Sequence, residues 1–472
     1  MRGISRRTFV AAGAALSACA PKTRVEMAPP ASRRFPPEFV WGVANAAFQT
    51  EGALEADGRG PSVWDVFPRE RIHDGSDASR ATDSYRRYAE DVTLAAGLGA
   101  KAFRFSISWP RIAPDGAAIN EAGVDHYSRV VDAMLEAGLT PYATLFHWDL
   151  PQALQTQGGW AARDTTARFA DYASIVGARL GDRIKHLVVM NEAAVHAILG
   201  HVLGVHAPGV QDAALLGPVI HHENLAQGLA IQALRAARGD LSIATTLALQ
   251  PSRPEGGLMT PLNTLAAEGF DDVWNGAFLD PLLKGAYPKS VESMIEASVR
   301  EGDLINIRQP IAFLGVNYYA PSYIAFDAGA PSHIRPADPP DGAERDAFNR
   351  HIDPSGLYEI LTRLRDVYGN PPVLITENVC SDRFSDGPAE IDDQFRILYL
   401  RRHLEAVKSA MEAGCEIGGY FHWTLIDNWE WAEGWRSKFG LVAMDRATGV
   451  RTPKASYAWF KALAESGTLD AG

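Results

Sequence analysis

The stretch His186-Leu187-Val188-Val189-Met190-Asn191-Glu192 is a short apolar, β-branched run that ends in an amide and a carboxylate. Such a run reads as a strand buried on both faces, as strands of parallel sheets are. The same design recurs on either side of it. Strands are expected at Val40–Phe48, Lys101–Trp109, Pro141–Trp148, His186–Glu192, Ser242–Gln250, Phe313–Tyr319, Val373–Asn378 and Ile417–Leu425. Helix-like stretches separate most of them, among them Ala81–Leu98, Val124–Ala137, Thr165–Leu180, His222–Ala237 and Phe395–Ala413. Alternating strands and helices imply parallel strands with crossovers. Eight such units close a (β/α)8 TIM barrel, here a single α/β domain with long βα loops, which accommodates the 472 residues. An open doubly wound sheet fits less well, because no Gly-rich phosphate loop follows the first strand.

The chemistry gathers at one end of these strands. They begin apolar and finish at Gln49 and Glu51, Arg104, His147, Asn191 and Glu192, Asn317 and Tyr319, Glu377, and Trp423. Buried strands have no structural need for a carboxylate, a His or an Arg at the same end each time. In a barrel of this type that end carries the active site. Glu192 closes the fourth expected strand and Glu377 the seventh, on roughly opposite walls, so their carboxylates can face each other across the mouth. Two carboxyl groups flanking an anomeric carbon supply what glycoside hydrolysis requires, a proton for the leaving oxygen and stabilisation of positive charge.

The bulk properties exclude other classes. A net charge of −12 and the absence of a Lys/Arg run in the body argue against a nucleic-acid partner. His221-His222-Glu223 lacks the spacing of a His-Glu-x-x-His zinc motif and reads as the start of a helix. No Ser nucleophile elbow, metal motif or nucleotide motif is evident, so no cofactor or metal is expected.

The N-terminus differs from the body. Ser5-Arg6-Arg7-Thr8-Phe9-Val10 precedes an apolar, small-residue run from Ala11 to Ala20. A basic head before a short apolar stretch is an export signal, too short to span a membrane. The paired arginines resemble a twin-arginine signal, and Leu16-Ser17-Ala18-Cys19 resembles a lipobox, which would make Cys19 a lipid anchor. Residues 1–20 are therefore expected to direct export to the periplasm or the outward membrane face. Residues 21–34, rich in Pro, Ala and Ser, read as a flexible linker to the body at 35–468. Cys380 and Cys415 fall at opposite ends of neighbouring expected strands, so no disulfide is expected between them.

A set of motifs, in order, resembles glycoside hydrolase family 1, the β-glucosidase family. They are Phe39-Val40-Trp41-Gly42-Val43-Ala44 with Gln49-Thr50-Glu51-Gly52-Ala53, Phe103-Arg104-Phe105-Ser106-Ile107-Ser108-Trp109-Pro110-Arg111, and Leu145-Phe146-His147-Trp148-Asp149-Leu150-Pro151. Asn191-Glu192, Gly315-Val316-Asn317-Tyr318-Tyr319, Ile375-Thr376-Glu377-Asn378 and Asp427-Asn428-Trp429-Glu430-Trp431 complete it. The resemblance implies a retaining exo-β-glycosidase, foremost a β-glucosidase, with Glu192 as acid/base and Glu377 as nucleophile, their carboxyls about 5–5.5 Å apart. Arg104 and Tyr319 would favour ionised Glu377, and Asn191 would bind the sugar 2-hydroxyl. Gln49, His147 and Glu430 would hold other hydroxyls, with Asn317 among the pocket residues. Trp423 and Trp431 would floor the ring, Phe439 would close the pocket, and Trp148 would stand at the sugar's edge.

Glu430 stands where the 6-phosphoglycosidases of the family resemble one another in carrying Ser, and Ser437-Lys438-Phe439 stands where their Lys-x-Tyr grip would fall. A carboxylate facing a phosphate is repulsive, so an unphosphorylated small-molecule β-glycoside is expected. Glu192, in place of Gln, argues against a myrosinase-like enzyme. Val189, Ala193 and Val379 depart from the family's usual Thr, Pro and Gly, with Cys380 next in the chain, which leaves the aglycone side open. Alternatives are β-galactosidase, β-fucosidase or transglycosidase action at the same site, or a non-catalytic glycan-binding lipoprotein.

Overall fold

In the computed structural model, which describes residues 26–469 apart from 331, 382, 383, 385 and 386, eight parallel strands close into one barrel. They are β1 (Val40–Ala44), β2 (Ala102–Ser106), β3 (Thr140–Phe146), β4 (His186–Asn191), β5 (Ser242–Ala248), β6 (Leu314–Asn317), β7 (Val373–Glu377) and β8 (Ile417–Trp423). Neighbours in sequence are neighbours in space, and β1 pairs with β8 to close the ring. Each expected strand is present, with an earlier end. Phe48 falls in the helical turn Ala47–Thr50 and Trp109 in the turn Trp109–Ile112. The chain leaves the ladder there because its N–H groups find other acceptors, as Ala47 does at Ser106 Oγ, 2.7 Å away.

The expected helices run Ser84–Gly97, Glu121–Glu136, Asp164–Leu180, Leu216–Ala237 and Gln394–Glu412. Pro354–Tyr368 and Ala455–Ser466 add to the outer ring. The first of these begins as helices commonly do, with Pro354 in its first turn and the Asp353 side chain accepting from the Ser355 N–H at 3.0 Å. The sequence reading did not foresee a small outer sheet of Ser252–Pro254, Ser322–Phe326 and Ile334–Ala337, formed by the segments that follow β5 and β6. His221, His222 and Glu223 lie inside the helix Leu216–Ala237, beyond its start, bonded to Asp303, the Trp160 carbonyl and His196.

Inside the barrel the side chains stack by polarity. Ala102, Tyr142, Val188, Ala244, Phe313, Leu374 and Phe421 form one apolar layer. Two residues further along six of these strands, on the same face by the period of two, come Arg104, Thr144, Thr246, Gly315, Thr376 and Trp423, while on β4 the same step reaches the apolar Met190 of the main core. The lower layer keeps water out from below, and the upper one begins the polar mouth.

Residues 1–20, the expected signal with Cys19, lie outside the described residues. Of the expected linker 21–34, residues 26–34 are described, and several of them bond to the body. Ala28 O accepts from Ser409 Oγ, and the N–H groups of Ala31 and Ser32 donate to the Glu412 carboxylate at 2.7 and 3.1 Å. Cys380 and Cys415 are both buried thiols. Among the described residues no helix is long and apolar enough to cross a membrane.

Candidate active site

Glu377, the last residue of β7, is 2% exposed and is held at both oxygens. Oε1 accepts from Arg104 Nη1 at 2.7 Å, and Oε2 accepts from the Tyr319 hydroxyl at 2.6 Å. The other amino group of Arg104 donates to Asn191 Oδ1 at 2.6 Å. Asn317, at the end of β6, donates from Nδ2 to Glu192 Oε1 at 2.7 Å and to Asn191 Oδ1 at 3.2 Å. Its own oxygen accepts from Thr376 Oγ at 2.7 Å. A continuous chain of bonds thus runs from Glu377 through Arg104, Asn191 and Asn317 to Glu192. Four strands supply it, β2, β4, β6 and β7.

The two carboxyl groups occupy unlike environments. Burial pushes Glu192 up to about 8, and the nearby charge of Glu377 adds to that rise, while Asn317 and Arg104 oppose it. Among the described residues no cation bonds to Glu192, whereas Glu377 sits against Arg104. Glu192 therefore holds its proton near neutrality, as a group that must protonate a leaving oxygen needs to do. Burial and Glu377 also raise Glu430 to about 8, against the hydrogen bond from Gln49 Nε2 at 2.8 Å. His147 is pushed well below its ordinary value by burial, then by Arg104, so its imidazole is neutral. Its Nε2 lies 3.3 Å from Asn191 Nδ2.

The backbone is bent to aim these groups. Glu192 has φ 54° and ψ 54°, Trp148 φ 74° and Trp431 φ 50°, all in the left-handed region that side chains disfavour by about 1–2 kcal/mol per residue. Register shifts in the ladders fall between Val188 and Asn191 and between Ile375 and Glu377, next to both glutamates.

The expected aromatic residues are also assembled here. His147 stacks on Trp423 at 5.5 Å and on Trp431 at 6.0 Å, both at 17°. Trp431 lies 6.0 Å from Phe48 at 7° and 4.9 Å from Trp148. The Trp148 indole N–H donates to the Asn191 carbonyl at 3.0 Å, so it braces the end of β4. Phe439 and Trp423 share a cluster with Ala44, Ala46 and Val379. Val379, where the family usually has Gly, therefore fills space beside two pocket aromatics; Val189 and Ala193 are buried in the main core. Lys438 is buried and donates to the Trp435 carbonyl, and Glu430 turns toward Gln49.

Three residues of the neighbourhood escaped the sequence reading in their roles. Thr376 props Asn317, and Asn428 Oδ1 accepts from Gln49 Nε2 at 3.1 Å; both lay inside quoted motifs. Arg350, whose guanidinium lies over the Tyr319 ring at 5.0 Å, belongs to a loop with no motif to mark it. Among the described residues no group of three or more His, Cys, Asp or Glu is placed to hold a metal.

Comparison with known proteins agrees with this arrangement. The sequence profile of glycosyl hydrolase family 1 matches residues 31–468. The thermostable beta-glucosidase B of Thermobispora bispora is 42% identical over 448 residues, covering 90% of each chain. The bifunctional beta-D-glucosidase/beta-D-fucosidase of Bifidobacterium breve is 39% identical over 456 residues, covering 90% of this chain and 97% of the relative. The solved family 1 β-glucosidase from Thermotoga maritima superimposes with a TM-score of 0.88 at 36% identity, covering 92% of this chain and 99% of that one. With the profile matching nearly the whole chain and the barrel shared with solved members, this chain belongs to glycosyl hydrolase family 1.

Proposed function

We infer that the chain is a retaining exo-β-glycosidase, a β-glucosidase, that releases terminal non-reducing β-D-glucosyl residues. The observation that carries the residue roles is the asymmetry of the two glutamates. Glu377 is bonded to Arg104 and Tyr319, which suits an ionised nucleophile, while Glu192 is buried, bonded to no cation among the described residues and pushed up to about 8, which suits an acid. Glu377 attacks the anomeric carbon as Glu192 gives its proton to the departing oxygen. Glu192 then takes a proton from water, which displaces Glu377 and restores the β configuration.

Asn191, already bonded to Arg104, has its amide beside His147 and is placed to meet the 2-hydroxyl. Gln49, His147 and Glu430 hold other hydroxyls, over a wall of Trp423 and Trp431. Lys438 points its ammonium at a backbone carbonyl and Glu430 lies in the pocket, both of which support an unphosphorylated sugar. Proton NMR of the first sugar released from an aryl β-glucoside tests the mechanism. The β-anomer should appear first, and an initial α-anomer would overturn retention. The fucosidase activity named for the Bifidobacterium relative supports β-fucosides as a second substrate class.

Export is part of the same reading. The Arg6-Arg7 pair, the apolar run after it and Cys19 support a lipid-anchored protein outside the cytoplasm. Cell fractionation of the full chain and of Cys19→Ser tests it.

A further inference from the structure

The loop before the helix Pro354–Tyr368 is built as one tight turn. Asp346 organises it: Oδ1 accepts from the backbone N–H groups of Phe348 and Arg350, each at 3.0 Å. Oδ2 accepts from Arg350 Nε at 2.8 Å and from Nη2. Asn349 takes a left-handed φ of 60°, and Arg345 and His351 form an antiparallel bridge at the base. The turn presents Phe348 and Arg350 side by side toward the pocket wall. Phe348 stacks on Phe439 at 5.8 Å and 11°. The Arg350 guanidinium carbon lies 4.6 Å from the centre of the Phe348 ring and 5.0 Å from that of Tyr319.

Tyr319 is the residue whose hydroxyl donates to Glu377 Oε2 at 2.6 Å. A cation on the face of a phenol restrains the ring and draws electron density from it, so the hydroxyl becomes a better donor. Asp346 binds one edge of the guanidinium, Nε and Nη2, and so fixes its plane. Tyr399 holds the backbone of the same residue: its hydroxyl donates to the Tyr319 carbonyl at 3.3 Å and accepts from Asn378 Nδ2 at 3.0 Å.

We propose that Arg350 is a positioning residue for the nucleophile, acting on Glu377 through the ring of Tyr319. The proposal rests on reading Glu377 as the nucleophile. Arg350 has no hydrogen bond to either catalytic glutamate among those seen in the structure, and its effect should therefore vanish when the Tyr319 hydroxyl is gone.

A double-mutant cycle tests this, read as kcat on an aryl β-glucoside. Arg350→Met should lower kcat about tenfold in the otherwise unchanged enzyme, close to the 1.4 kcal/mol that such a ratio represents. In a Tyr319→Phe background, which keeps the ring and loses the hydroxyl, Arg350→Met should cost about twofold or less. Equal losses in both backgrounds would overturn the proposal, because a turn that merely shapes the pocket does not need the hydroxyl. Arg350→Lys keeps a cation over the ring and decides the matter should Arg350→Met not fold. Because Lys loses the two-point bond to Asp346 and the flat stacking, it is read in both backgrounds as well: a loss of kcat confined to the enzyme that keeps the Tyr319 hydroxyl supports the proposal, and an equal loss in both overturns it. Failure of the unsubstituted enzyme to turn over the glucoside would instead refute the catalytic reading of the site.

Discussion

Two buried carboxyl groups, Glu192 and Glu430, hold protons at a pH where carboxyls in water do not. At Glu430 the cause is burial first and the charge of Glu377 second, and that makes stability depend on pH. Its folded value is about 8, above the 4.5 of an unburied glutamate. Below pH of about 4.5 the group is protonated in both folded and unfolded chains and contributes no pH dependence. As pH rises through that value the unfolded chain ionises first, and the folded state loses stability until the folded group also ionises near 8. Glu430→Gln keeps an oxygen for the Gln49 N–H and has no proton to lose. Its melting temperature should match that of the unsubstituted protein near pH 4, exceed it increasingly up to about pH 8, and hold a constant excess above that. A difference that stays constant between those two pH values would show that Glu430 does not titrate as its surroundings imply. None of this was legible in the sequence, where Glu430 was a motif position and its burial beside Glu377 could not be read.

At the scale of single elements, strand positions were legible because short apolar runs bounded by polar residues have few other readings. Strand ends were not. The sequence reading extended β1 to Phe48, but Ala47 bonds to a side chain and turns into a helix. Strict alternation would also point Asn191 away from Val188, whereas the register shift between them turns Asn191 inward to Arg104. Gly315 on β6 shows what such packing demands. A methyl group there would meet Thr246 Oγ at 2.0 Å and Thr376 Oγ at 2.9 Å. Thr246 is fully buried and its hydroxyl donates to Thr376, which in turn props Asn317 against Glu192. Gly315→Ala should therefore spread β5 from β7 at a cost of about 1–3 kcal/mol. It should also lower kcat, because the Asn317 contact to Glu192 moves with Thr376. Calorimetry and steady-state kinetics on the same preparation check both. An unchanged melting temperature with unchanged kcat would mean that the strands yield without disturbing the site.

Over the whole molecule, the rule that a barrel's chemistry gathers at one end of its strands placed the site before any contact was known. That rule is silent about where the chain's ends attach. Arg34 pairs with Thr468, the Phe35 N–H donates to the Gly467 carbonyl at 2.8 Å, and the Leu469 N–H donates to the Arg33 carbonyl at 3.1 Å. Both ends of the body are thus clasped together beside the helix Gln394–Glu412, where Ala28, Ala31 and Ser32 are also held. If Cys19 carries lipid, only the residues between it and Ala28 can act as tether. Nine steps of chain reach at most about 30 Å. The anchored enzyme would therefore stay close to the bilayer with the Gln394–Glu412 side nearest to it. Cys19→Ser should move β-glucosidase activity from the membrane fraction to the soluble exported fraction, with kcat unchanged, since the anchored segment from Ala28 onward is untouched. Activity that is soluble in both forms would refute the anchor, and activity retained in the cytoplasm would refute export.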